Sequence, residues 1–220
     1  MIQHVTPTPH KRAPVPGSAM LSLVLGMAAL CAPHAQASQL VPQNLAQMIK
    51  ASDLIVTGEV SKVSDGIHDG VPYTEVTLKV KGSLKRDMAA NSSYSFRQYG
   101  LLKARKMADG RYLLPSKIEG MPTWTLGEKV TTFMNKPATR TGLTTPVGLA
   151  QGKLTAGGAK SANSFNNRDL FKGMTVDPTA LNANEAAMLA SKGGAVQTGV
   201  LLGLVKRAVK EEWLAKGVMR

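Results

Sequence analysis

The stretch Ser52-Asp53-Leu54-Ile55-Val56-Thr57-Gly58-Glu59-Val60-Ser61-Lys62-Val63 decides the fold. Read at a period of two, Leu54, Val56, Gly58 and Val60 fall on one side, and Ile55, Thr57, Glu59 and Ser61 on the other. β-Branched residues suit a pleated, half-buried surface, so the spacing predicts a long strand. Gly58 sits in its middle. A missing side chain there lets a strand bend sharply or lets a second backbone come close. Such a glycine is expected where one strand serves two sides of a closed barrel.

Upstream, residues 41–51 read as a short helix, with Pro42 in its first turn and Leu45, Met48 and Ile49 in one stripe. Downstream, Asp65-Gly66 and Asp69-Gly70 bracket a turn region. A second strand, 73–81, sets Val76, Leu78 and Val80 against Glu75, Thr77, Lys79 and Lys81, and Gly82 ends it. A third strand, 93–99, carries Tyr94 and Phe96 on its apolar side. The connection over 100–126 is long for a compact domain and has room for a small strand at 111–114. A turn at Gly127-Glu128 feeds a fourth strand ending near Met134, and a broken fifth spans 146–155 around Gly148 and Gly152.

The small, polar residues 156–167 read as a mobile loop or an irregular hairpin. Asp177-Pro178 caps a helix expected through about residue 191, with Leu181, Met188 and Leu189 inward. Gly193-Gly194 breaks it. A last helix over 195–216 carries Leu201, Leu204, Val205, Ala208 and Val209 on one arc. That arc suits packing on the strands, with Trp213 at a membrane interface as the alternative.

The first 37 residues read as an export leader rather than as part of the fold. His10, Lys11 and Arg12 precede the apolar run 18–32, and Ala35-Gln36-Ala37 forms a small-x-small cleavage site before Ser38. The run is short for a bilayer span, so no transmembrane helix is expected after cleavage. The protein is then exported, to a periplasmic or extracellular location. The one cysteine, Cys31, falls in this leader, so the mature chain has no disulfide, although the compartment would permit one. His68 is the one histidine beyond residue 37. The expected organisation is a signal peptide over 1–37, a β-domain over 38–173 and a helical segment over 174–220.

Several segments together resemble a widespread group of uncharacterised exported bacterial proteins. They are Ala51-Ser52-Asp53-Leu54-Ile55-Val56-Thr57-Gly58-Glu59-Val60; Val76-Thr77-Leu78-Lys79-Val80 with Lys81-Gly82; Leu126-Gly127-Glu128-Lys129-Val130 with Phe133; and Gly148-Leu149-Ala150-Gln151-Gly152-Lys153. That group carries an OB-like barrel similar to the inhibitory domain of tissue inhibitors of metalloproteinases and to netrin modules. The resemblance implies a mainly β fold: a five-stranded OB-like Greek-key barrel with a short N-terminal helix and two C-terminal helices. The strand count from periodicity agrees with such a barrel. Tissue inhibitors act through an N-terminal cysteine that chelates the target's zinc. The mature chain has no cysteine, so this mechanism is not expected here.

Catalytic motifs are sparse. His68 between Asp65 and Asp69 reads first as an exposed loop histidine; a zinc site wants three or four ligands. No Gly-x-Ser-x-Gly elbow and no phosphate-binding glycine loop occurs. No catalytic, cofactor or metal-binding residue is assigned. The global signal is charge, formally +13, with 27 basic and 14 acidic residues. Lys103, Arg105, Lys106 and Arg111 crowd the long connection and are the candidate binding residues; Lys117 follows them. Basic and aromatic residues on a barrel can bind single-stranded nucleic acid, but export argues against that partner. An acidic protein, an envelope polymer or an anionic lipid surface is expected instead. The reading is an exported, non-enzymatic binding or inhibitory module. Its rivals are a hydrolase of unrecognised type and a structural envelope protein held by its basic surface. A deep pocket of converging serine, lysine and carboxylate groups would favour the enzyme; an exposed apolar patch beside the basic loop would favour the module.

Overall fold

A computed structural model describes residues 40–115 and 118–220. The expected leader and cleavage site lie outside the described residues, as does Lys117. The fold is mainly β, with three α-helices among the described residues: α1 (Leu45–Ala51), α2 (Ala183–Leu189) and α3 (Thr198–Lys210). The strands are β1 (Leu54–His68), β2 (Val71–Lys85), β3 (Ser93–Tyr99), β4 (Arg105–Lys106), β5 (Tyr112–Leu113), β6 (Lys129–Met134), β7 (Lys153–Gly157), β8 (Lys160–Ala162) and β9 (Val196–Gln197). Seven of them form one antiparallel sheet in the order β3-β2-β1-β6-β7-β8-β9, where five strands were expected. β4 and β5 pair separately within the long connection.

β1 sits between β2 and β6 and is walled on both faces at its start. Leu54, Val56 and Val60 pack with Val76, Leu78, Phe96, Trp124 and Met134 in one core. Ile55 packs on the other side with Leu45, Met48, Phe133, Leu201 and Leu204. Burial on both faces explains the unbroken apolar run at 54–56. α3 therefore turns its apolar arc onto the sheet, and Trp213 lies in the same core, 2% exposed. Gly58 works by close approach: a Cβ there would stand 2.7 Å from the Lys79 carbonyl oxygen. The register shifts beside it and again at Ser61, bending the strand as bulges do.

Several expected boundaries move. β1 and β2 extend through Asp65-Gly66 and Gly82, and the turn between them is only Asp69-Gly70. Both turn residues have positive φ, 49° and 75°, as a two-residue hairpin turn of this hand requires. Gly66 stays in the strand, paired with Tyr73 of β2, whose ring lies over the space a Gly66 side chain would fill. Pro42 precedes α1 rather than opening it; Asn44 is the cap, paired reciprocally with Gln47. Asp177-Pro178 opens a single 3₁₀ turn, Pro178–Ala180, and α2 begins afresh on the Asn182–Glu185 capping box. The broken fifth strand is a 3₁₀ turn, Leu149–Gly152, followed by β7. The 156–167 stretch includes an irregular hairpin, closed by β7 and β8. α3 ends at Lys210, short of the expected 216.

Two isolated bridges add to the sheet. Met134 at the end of β6 pairs with Pro146, and Arg97 in β3 pairs in parallel with Leu143. The Thr144 amide donates to the Arg97 carbonyl at 2.8 Å.

Candidate functional site

The long connection is fastened by one carboxylate. β1 places Asp65 with its side chain only 4% exposed. Its Oδ2 accepts the backbone N–H groups of Leu102 (2.8 Å) and Lys103 (3.2 Å). Arg105 Nη2 donates to Oδ1 (2.5 Å) and to the Asp65 carbonyl (2.6 Å). Burial alone would raise the Asp65 pKa. The Arg105 hydrogen bond and the two amides outweigh it, and the carboxyl is held below its ordinary value.

This arrangement divides the four predicted binding residues. Arg105 is consumed by Asp65, and Arg111 donates through Nε to Asp109 at 2.7 Å. Lys103 and Lys106 are left without an ion-pair partner among the described residues; Lys103 is exposed, and so is Lys106 on β4. Sequence spacing showed the four cations but not which would be neutralised, because Asp65 reaches the loop from a distant strand.

Apolar side chains stand beside these lysines. Tyr99, Leu102, Tyr112, Leu114 and Ile118 are large and exposed, Tyr112 by 64% and Leu114 by 65%. A cleft of about 380 Å³, lined by Tyr99, Leu102 and Ile118 among others, opens between the end of β3, residues 100–102, Pro115 and residues 118–124. Val63, Thr74 and Gln98 belong to its lining, from three adjacent strands. Trp124 Nε1 donates to Gln98 Oε1 (2.9 Å), and Gln98 Nε2 donates to the Pro122 carbonyl (3.0 Å). The Trp124 indole also meets Phe96 edge to face at 5.1 Å. The wall of the cleft is thus tied to the sheet beneath it.

The far end of the connection is tied by residues within the quoted motifs. Lys153 Nζ donates to Glu128 Oε1 and Oε2, both at 2.7 Å, and to the Thr123 carbonyl at 2.6 Å. Thr155 Oγ1 donates to Glu128 Oε1 at 2.7 Å. Burial would raise the Glu128 pKa, but these donors outweigh it and lower it. Lys153 is more deeply buried, so loss of water lowers its pKa despite the partner. Gln151 holds the chain entering α1: its Oε1 accepts from Gln43 N (2.8 Å), and its Nε2 donates to the Val41 carbonyl (3.0 Å). The motif residues marked a pattern in the sequence; their partners 25 and 108 residues away were not legible in it.

Other concavities and titratable groups converge less. His68 ends β1 with its side chain 68% exposed, 3.5 Å from Asp69. No three His, Cys, Asp or Glu residues gather to hold a metal among the described residues. A wider, open hollow of about 580 Å³ between α2 and the start of α3 is lined by Lys160, Ser191 and Gln197 but by no carboxylate. No described helix is long and apolar enough to cross a membrane. No family model, curated protein or solved structure matches the chain.

Proposed function

We propose that this chain is an exported, non-enzymatic binding module that engages an acidic protein partner through the face formed by residues 99–115 and 118. The observation that carries the reading is the apolar group Tyr99, Leu102, Tyr112, Leu114 and Ile118 standing exposed beside Lys103 and Lys106, cations with no ion-pair partner among the described residues. Apolar groups on a surface that also carries charge fit a protein contact better than a solvated basic face does. The loop is pinned at Asp65 and through Trp124, so little freedom is lost when a partner docks. Clustered positive charge speeds encounter with an acidic surface.

An OB-like barrel is the scaffold of this reading. Its support is the chain of pairings β3-β2-β1-β6, continued by the Met134–Pro146 bridge and returned to β3 by the parallel Arg97–Leu143 bridge. A closed barrel needs just such a link from its last strand to its third. Export rests on the leader at 1–37.

The test is affinity capture from an envelope fraction with three proteins: the parent, Lys103→Gln with Lys106→Gln, and Tyr112→Ser with Leu114→Ser. Both variants should lose acidic partners that the parent retains at moderate salt. Identical retention by all three would remove this face as the interface. Arg105 is left intact, because its loss would free the loop as well as remove a charge.

A further inference from the structure

We infer that the cleft beneath the loop takes one apolar anchor side chain from an extended acidic segment of the partner, with Lys103 and Lys106 meeting the carboxylates that flank it; this rests on the binding reading above.

The polar side chains that β2 and β3 place in the floor of the cleft, Thr74 and Gln98, are already used. Thr74 Oγ1 donates to the Gly100 carbonyl at 3.0 Å, and both ends of the Gln98 amide are engaged by Trp124 and Pro122. A ligand rich in polar groups would lose its water there with little to replace it, which is unfavourable. An apolar side chain loses nothing and gains contact with Val63, Leu101, Ile118 and Trp124. The volume, about 380 Å³, lies in the range of ligand pockets and exceeds what a surface dimple offers.

The occupant is larger than the cleft. Leu114 is exposed immediately before Pro115 in the wall, and Tyr112 is exposed in β5, so apolar surface continues onto the β4–β5 hairpin. A small molecule buried in the cleft would leave that surface uncovered; a polypeptide segment running outward would cover it. Charge sets the composition. Lys103 directly follows Leu102, and Lys106 lies in β4 opposite Tyr112, so each free cation sits beside an apolar contact. Carboxylates next to the anchor are the groups these cations recognise. A lipid surface would need apolar side chains projecting from a convex face, whereas this site is concave.

The experiment uses the purified full chain and fluorescein-labelled peptides read by anisotropy. One peptide alternates Glu with Phe, a second has Ala for Phe, and a third has Lys for Glu. The Glu–Phe peptide should bind, the Glu–Ala peptide about fivefold or more weakly, and the Lys–Phe peptide not measurably. Leu102→Ser with Ile118→Ser should bring the Glu–Phe peptide down to the Glu–Ala level without altering the latter. Both residues are exposed, so circular dichroism melts should stay at the parent's temperature. Lys103→Gln with Lys106→Gln should weaken both acidic peptides and flatten their salt dependence. Equal binding of the Phe and Ala peptides overturns the anchor and leaves the acidic-partner reading standing. If no peptide binds but phosphatidylglycerol vesicles do, both fall. If no peptide binds while envelope capture still depends on Lys103 and Lys106, only the anchor falls.

Discussion

Lys153 Nζ lies 2.7 Å from both carboxylate oxygens of Glu128, joining β7 to the turn that feeds β6. The two side chains are only 8% and 17% exposed. Removing one charge from such a pair strands the other without water. Glu128→Gln should destabilise the protein by about 2–4 kcal/mol in urea melts. The double variant Glu128→Leu with Lys153→Met should recover part of that loss. A double variant no more stable than the single one would show that the hydrogen bonds to Thr123 and Thr155 matter more than the ion pair.

Asp65 and Glu128 both have carboxyls held below their ordinary values. The folded state therefore binds their protons less readily than the unfolded chain. Their stabilisation is complete above the unfolded carboxylate range, about pH 4, and is lost as pH falls through the lower folded values. Urea midpoints of the parent should drop as pH is taken from about 5 downward. Asp65→Asn should start from a lower midpoint at neutral pH and fall less steeply. It should also speed tryptic cleavage after Lys103, because the Leu102 and Lys103 amides lose a charged acceptor. Parallel pH curves for the two proteins would remove Asp65 from the account.

Two glycines of one hairpin arm should behave in opposite ways. A Cβ on Gly152 would sit 2.3 Å from the Val147 carbonyl oxygen, whereas one on Gly157 would meet nothing within 4 Å. Gly152→Ala should cost more than about 2 kcal/mol through forced backbone displacement. Gly157→Ala should stay within about 0.5 kcal/mol of the parent. Thermal melts of the pair compare them directly, and equal values would mean that Val147 can move aside.

The alternation of β2 sets a third comparison. Val76 is fully buried against Phe96, while Lys79 is exposed opposite Glu59. Val76→Ala should cost about 1–3 kcal/mol through the cavity it leaves. Lys79→Ala should remain within about 0.5 kcal/mol. The reverse order in urea would indicate a register one residue off.

Much of the strand pattern could be read from the chain because period-two alternation survives wherever one face is buried. The limits of β3 at Ser93 and Tyr99 coincide with the expected ones. The alternation failed as a guide to where β1 and β2 end. Asp65-Gly66 has turn chemistry, yet both residues stay in the ladder, paired with Thr74 and Tyr73 on the facing strand. Helix starts shifted for a related reason: Asn44 and Asn182 compete with Pro42 and Pro178, and the reciprocal Gln47 and Glu185 contacts decide for the asparagines. At the site, the cations were visible but their pairing was not. Asp109 lies two residues from Arg111, within reach of sequence reasoning. Asp65 lies 40 residues from Arg105, beyond it. The exposed Tyr112 and Leu114 were legible only as a strand, since burial depends on what the rest of the chain leaves uncovered.

The two-residue turn at Asp69-Gly70 also has a consequence for how the chain assembles. β1 and β2 are adjacent in sequence and can zip from that turn at small loop-closure cost. β6 reaches β1 only after everything from β2 through the basic loop has been made. Until β6 pairs, the stretch from Leu54 to Glu59 therefore has one paired edge and one bare edge, on a strand rich in apolar residues. A bare edge of that kind is a template for strands of other chains. The interval before β6 arrives is a stage at which this protein is exposed to misassembly.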